Sequence, residues 1–257
     1  MTAAPAAPGA PPGPDAPLGF CWMDLKTHDL PGTGAFLAAA LGWHCAVDED
    51  DWRRATKIST ADGHPVGGVS DLAQPVYPPG TPAHIAYYLA VDDLDRRTDR
   101  AVARGAELVV PPFDAGDQGR MSTLVDPVGA AVSLWQPYRF GGWRIPPGSS
   151  NTPHRMTLAC ERPDRARDFY REVTGVDVAR ADFTEVARAD RADAATARTA
   201  PRWELTVGAD DLTAVAARVH AHGRGRASWP DDPDRSVLRL TSPDGLTLRV
   251  VRARRRI

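Results

Sequence analysis

The 257 residues, 42% hydrophobic and 25% charged, describe an ordinary globular chain large enough for one large domain or two small ones. A formal net charge of −2 excludes a broad basic field for nucleic acid; the basic run Arg252 to Arg256 reads as a solvated tail. Cys21, Cys45 and Cys160 are odd in number and form no CxxC pair, which argues against a disulfide framework or structural zinc and for a reducing cytoplasm.

No apolar run approaches the roughly 18 residues needed to span a bilayer. The first 17 residues lack the charged start and apolar core of a signal peptide, and their Ala/Pro/Gly content predicts a disordered lead-in. From Phe20 to Lys26 apolar and polar residues alternate, which predicts a strand with Met23 and Leu25 on one face and Trp22, Asp24 and Lys26 on the other. Gly34 to Leu41 reads as a compact apolar helix stopped by Gly42. Short strands follow at Thr56 to Ser59 and Val66 to Val69, and Tyr77-Pro78-Pro79-Gly80 reads as a loop.

The pattern then restarts. His84 to Val91 is a predicted strand, Asp92 or Asp93 caps a helix from Leu94 to Arg104, and Gly105 ends it. Leu108 to Val110, Met121 to Leu124 and Ala131 to Trp135 read as strands, the last opened by the turn Asp126-Pro127-Val128-Gly129. A Gly/Pro/Ser-rich segment, 139–152, reads as a linker between domains 18–138 and 153–252, with 253–257 a basic tail. A third round has a strand from His154 to Cys160 and a helix from Arg162 to Thr174; its stretch Arg188 to Thr199 suits a loop as well as a strand. A fourth has a strand from Trp203 to Val207, a helix from Asp211 to His222, and strands at Val237 to Leu240 and Leu246 to Val251.

One strand–helix–strand–strand–strand unit thus recurs four times, and such a repeat decides the architecture. Two restatements carry it: Val91-Asp92-Asp93-Leu94 against Ala209-Asp210-Asp211-Leu212, and Asp126-Pro127-Val128-Gly129 against Ser242-Pro243-Asp244-Gly245.

These motifs, with Asp29 through Phe36 to Leu41-Gly42-Trp43 and Arg165 through Phe169-Tyr170 to Gly175, resemble the vicinal oxygen chelate superfamily of glyoxalases, bleomycin-resistance proteins and extradiol dioxygenases. The resemblance runs from Phe20 to Val251. It implies an α+β fold of tandem glyoxalase-like domains, each made of two βαβββ modules whose mixed sheets cup around a cavity. Catalytic relatives hold a divalent metal there, through His or Glu on the first strand and Glu on the last strand of each module. The corresponding first-strand positions here are Trp22, Ala86, Arg155 and Glu204; the last-strand positions are Ser133 and Arg249, with Gly67 or Gly68 a candidate in the first unit and none assigned in the third. Trp and Ala cannot ligate a metal and Arg repels one, so no metal and no other cofactor is expected. The Arg155, Glu204 and Arg249 side chains are expected to pair with one another, or to form an anion pocket.

In the first domain, Trp22, Tyr88 and Trp135 either stack on a flat ligand or fill a core. Ala86 and Ser133 leave space beside them. Asp24 and His84 are the candidate acid and base, Lys26 either pairs with Asp24 or orients a ligand, and Arg120 is a candidate contact for a ligand anion. Three functions compete: a metal-free binding protein for an aromatic metabolite or antibiotic; a metal-free isomerase, lyase or cyclase; and a metal-dependent lyase or dioxygenase. All three imply a small-molecule partner, with neither nucleic acid nor membrane, and a cytoplasmic monomer or homodimer.

Overall fold

The computed structural model describes residues 18–49, 54–146, 148–186, 201–230 and 234–253. The expected lead-in, the uncertain stretch Arg188 to Thr199 and the tail residues 254–257 lie outside them. The first unit comprises β1 (Phe20–Thr27), α1 (Leu30–Leu41), β2 (His44–Val47), β3 (Thr56–Ser59) and β4 (Pro65–Asp71). The second comprises β5 (His84–Ala90), α2 (Leu94–Ala103), β6 (Glu107–Asp114), β7 (Gly119–Val125) and β8 (Ala131–Pro137). The third has β9 (Thr152–Cys160), α3 (Pro163–Thr174) and β10 (Ala181–Glu185). The fourth has β11 (Arg202–Ala209), α4 (Leu212–His222), β12 (Arg226–Ser228), β13 (Val237–Thr241) and β14 (Thr247–Arg252). No helix among the described residues is long and apolar enough to cross a membrane.

Local chemistry sets the element ends. α1 begins four residues earlier than its apolar run, because the Asp29 carboxylate accepts from Gly32 N at 2.8 Å and caps it. A Cβ at Gly32 would collide with that carboxylate. Of the acidic pair before α2, Asp93 is the cap, accepting from Arg96 N, while Asp92 binds Arg97. Asp211 repeats the cap at α4. Gly42, at φ 69°, ends α1 in the left-handed conformation that its Cα tolerates.

Within every unit the first strand pairs in parallel with the last: β1 with β4, β5 with β8, β9 with β10 and β11 with β14. Units join in antiparallel fashion, β1 to β5 and β9 to β11. The result is an eight-stranded sheet, β2-β3-β4-β1-β5-β8-β7-β6, and a six-stranded sheet, β10-β9-β11-β14-β13-β12. The second sheet is narrower because residues 175–180 lead straight from α3 to β10; among the described residues the third unit is βαβ, without the intervening hairpin.

One face of each sheet carries the apolar alternation: Met23 and Leu25 on β1, Tyr87 and Leu89 on β5, Met156 and Leu158 on β9, Leu205 and Val207 on β11. Both faces belong to one continuous core, in which α1 packs on α4 and α2 on α3. Polar links cross it. Leu205 N donates to Tyr87 Oη at 3.1 Å. Trp203 Nε1 donates to Tyr170 Oη at 2.7 Å, and that hydroxyl donates to Asp126 Oδ2 at 2.8 Å. Burial raises the pKa of Asp126 and of Tyr170 and so disfavours their ionised forms, Tyr170 lying well above its ordinary value.

Candidate functional site

The opposite faces of the two sheets, turned away from the shared core, carry the candidate sites. On the first, the register aligns Trp22 with Tyr88, Asp24 with Ala86 and Lys26 with His84, and sets Asp24 beside Gly68 and Lys26 beside Ser70. Ser133 aligns with Tyr88 and Trp135 with Ala90. These residues share one face, because side chains in register on paired strands point to the same side.

The resemblance implies ligand positions on the first and last strand of each unit, and the register relates the two. Ser133 stands beside Tyr88, two residues along β5 from Ala86. The same offset from Trp22 selects Gly68, the partner of Asp24. From Arg155 it selects Asp182, the partner of Thr157, and from Glu204 it selects Arg249, the partner of Thr206. The first set is therefore Trp22, Gly68, Ala86 and Ser133, and the second Arg155, Asp182, Glu204 and Arg249. Among the described residues no three His, Cys, Asp or Glu side chains converge as a metal site would require. Neither set fits a resident divalent metal: the first offers one hydroxyl, and the second opposes each carboxylate with guanidinium groups.

Polar groups gather at one end of the first face. The Lys26 ammonium pairs with the Asp24 carboxylate and donates to Ser70 Oγ at 3.1 Å and Tyr77 Oη at 3.0 Å. The Ser70 hydroxyl donates to Asp24 Oδ2 at 3.2 Å. Gly68 makes room for this cluster, since a Cβ there would fall 2.7 Å from Asp24 Oδ1. Burial works to discharge Lys26, but the Asp24 charge and the bonds to Asp24 and Tyr77 outweigh it and hold the ammonium above its usual pKa. Asp24 and Lys26 thus pair, one of the two expected arrangements. His84 stands exposed at the rim beside this cluster, its Nδ1 2.8 Å from Pro82 O.

The aromatic residues gather at the other end. Trp22 and Trp135 are buried, at 9% and 7% exposure, and Phe140 covers them, its ring 4.8 Å from that of Trp22. Trp135 Nε1 donates to Phe140 O at 2.9 Å, and Tyr88 meets Trp135 edge-on at 6.1 Å. Trp143 closes the same end, donating from Nε1 to Val66 O and from its backbone to Cys21 O. Ser133 is buried as well and shares a hydrogen bond with Thr123. Tyr88 and Ala86 remain half-buried and border the polar end. Arg120 stands elsewhere. Its register with Gln136 turns it away from this face, and it is bound by Asp95 at 2.6 Å and Asp114 at 3.2 Å.

The sequence reading missed Tyr77, Phe140 and Trp143, all in Gly/Pro-rich connections; an aromatic residue stranded in such a segment was the available signal. On the second face, Arg155 does not meet Glu204 but pairs with Asp182 at 2.7 Å. Glu204 accepts from Thr247 Oγ1 at 2.8 Å, with Arg202 at 3.6 Å and Arg239 at 3.7 Å. Arg249 forms no ion pair with a described residue, so the expected Arg155–Glu204–Arg249 cluster is replaced by two separate groups. The reason is the parallel β9/β10 pairing, which brings Asp182 to Arg155.

Two sheets of repeated βα units joined first strand to first strand are the architecture of the glyoxalase class of protein. The description Glyoxalase/Bleomycin resistance protein/Dioxygenase superfamily matches residues 20–134. The chain is 31% identical over 248 residues to the Mycobacterium tuberculosis protein named "Putative glyoxylase CFP32", covering 90% of this chain and 93% of that one. It is 27% identical over 266 residues to the Streptomyces peucetius "Anthracycline biosynthesis protein DnrV", covering 94% of each. The crystal structure of the Mn(II)-bound glyoxalase from Novosphingobium aromaticivorans shares the fold, with a TM-score of 0.61 at 15% identity over 92% of this chain and 82% of that one. The chain belongs to the glyoxalase/bleomycin-resistance/dioxygenase superfamily.

Proposed function

We propose that the protein binds a flat aromatic small molecule on its first open face without a resident metal. The carrying observation is the register, which aligns Trp22, Gly68, Ala86 and Ser133 on one face, and none of these side chains, taken at the positions that the family resemblance implies for metal ligands, suits a divalent ion. The seat is bounded by Tyr88 and Ala86 on the apolar side and by Asp24, Lys26 and Tyr77 on the polar side, a mixture that orients an aromatic ring bearing hydroxyl or carbonyl groups. A relative named for anthracycline biosynthesis supports a polycyclic aromatic ligand.

The test is titration with hydroxylated anthraquinones, followed by tryptophan fluorescence, beside elemental analysis of the dialysed protein. Saturable binding is expected, weakened on the order of tenfold or more by Tyr88→Ala or by Ala86→Leu, which fills the seat. Retention of near one transition metal per chain, or binding unaffected by both substitutions, overturns the reading. Because Asp24, Lys26 and Tyr77 are proton-exchanging groups at the same seat, a compound recovered chemically changed would make the protein a metal-free enzyme instead.

A further inference from the structure

We propose that the second open face holds a separate site for a small anion, the carboxylate or phosphate group of a ligand, anchored by Arg249 and Thr157. On this face Arg155, Arg202, Arg239 and Arg249 share one side of the sheet with two described carboxylates, Asp182 and Glu204. The partners are distributed unevenly. Asp182 is taken by Arg155, and Glu204 lies between Arg202 and Arg239. Arg249 is directly opposite Arg239 in the β13/β14 register, where like charges destabilise a strand pair unless a counter-charge joins them. No described residue supplies one to Arg249.

A cleft of about 410 Å³ opens beside this guanidinium, lined by Arg249, Thr157, Asp182, Thr184 and Phe183, with Arg167 at its edge. Thr157 is 6% exposed, lines the cleft, and makes no side-chain hydrogen bond to a described residue. A fixed cation with a planar array of donors and a shielded hydroxyl donor therefore share one small space. That is the chemistry of carboxylate or phosphate recognition, in which a guanidinium engages two oxygens at once. Asp182 does not spoil it, since the Arg155 bridge neutralises that carboxylate. This site is independent of the aromatic seat, and either can fail without the other.

The experiment is calorimetric titration and thermal unfolding of the full chain with inorganic phosphate and, separately, with benzoate, against sodium chloride at matched ionic strength. A saturable rise in Tm is expected with at least one of them, and which one identifies the ligand group. Arg249→Gln should weaken that binding on the order of tenfold or more, Thr157→Val by less, and Arg120→Gln not at all. Loss of Arg249 relieves its opposition to Arg239, so this variant is expected to fold; the Thr157→Val titration is an independent check. The proposal is overturned if neither anion gives a saturable shift, if chloride matches it, or if Arg249→Gln binds as the parent does.

Discussion

The two open faces are built on equivalent strands and reach opposite chemistry. At the four register-equivalent positions, the first face carries Trp22, Gly68, Ala86 and Ser133, none of them charged; the second carries Arg155, Asp182, Glu204 and Arg249, all of them charged. The first keeps one ion pair, Asp24 with Lys26, adjacent to those positions and saturated by Ser70 and Tyr77. The second leaves Arg249 without a carboxylate partner among the described residues. A shared backbone therefore specifies where a ligand sits, and side chains decide what kind of ligand it is.

The comparison is broken most severely at Glu204, which is 7% exposed and the shared counter-ion of Arg202 and Arg239. Glu204→Gln removes the carboxylate that those guanidiniums share among the described residues and is expected to cost about 2 kcal/mol, measured by urea unfolding. The equivalent disruption of the first face is smaller. Lys26→Met leaves Asp24 with Ser70 alone in a half-buried setting and should cost about 1–2 kcal/mol.

That difference has a pH signature. Because the folded protein holds Lys26 protonated above its ordinary value of 10.5, its contribution is complete below that pH and fades as the pH rises through the higher folded-state value. The gap in unfolding free energy between parent and Lys26→Met should be constant from pH 7 to 9 and narrow above 10.5; a gap that widens there contradicts the ion pair. Arg249→Met sharpens the contrast from the other side. In the absence of anions it should change stability by no more than about 0.5 kcal/mol, or raise it, since Arg249 has no ion pair with a described residue to lose. The smallest effect is kinetic. Burial pushes the Cys21 thiol up to about 12, so it should stay unmodified by iodoacetamide at pH 8 until the protein is denatured.

What was legible in the sequence was local. The four-unit order, the acidic cap of α2, the Asp126 and Ser242 turns and the alternation of β1 are each decided within a few residues. What escaped depends on partners far along the chain. Asp182 has no signature of its own; it becomes Arg155's partner only because β10 lies parallel beside β9. Residues 138–146 have a linker's composition, yet Phe140 and Trp143 bury the walls of the first face, since a connection that begins at β8 and passes β1 can reach them. The sequence offers Arg120 as a ligand contact, but its pairing with Gln136 sends it toward Asp95 on α2. One step of alternation separates the two outcomes.

The relay from Trp203 through Tyr170 to Asp126, with Leu205 bonded to Tyr87, makes each half the other's interior wall. Expressed alone, residues 1–146 would uncover Phe20, Tyr87 and Asp126, and residues 148–257 would uncover Trp203, Tyr170 and Val173. Such fragments are complements rather than modules. Produced separately they should aggregate; produced together they should reassemble into one soluble heterodimer, and the intact chain should unfold in a single cooperative step. Any exchange of one half for that of a relative would therefore have to carry its matching core surface with it, even though the two ligand faces share nothing.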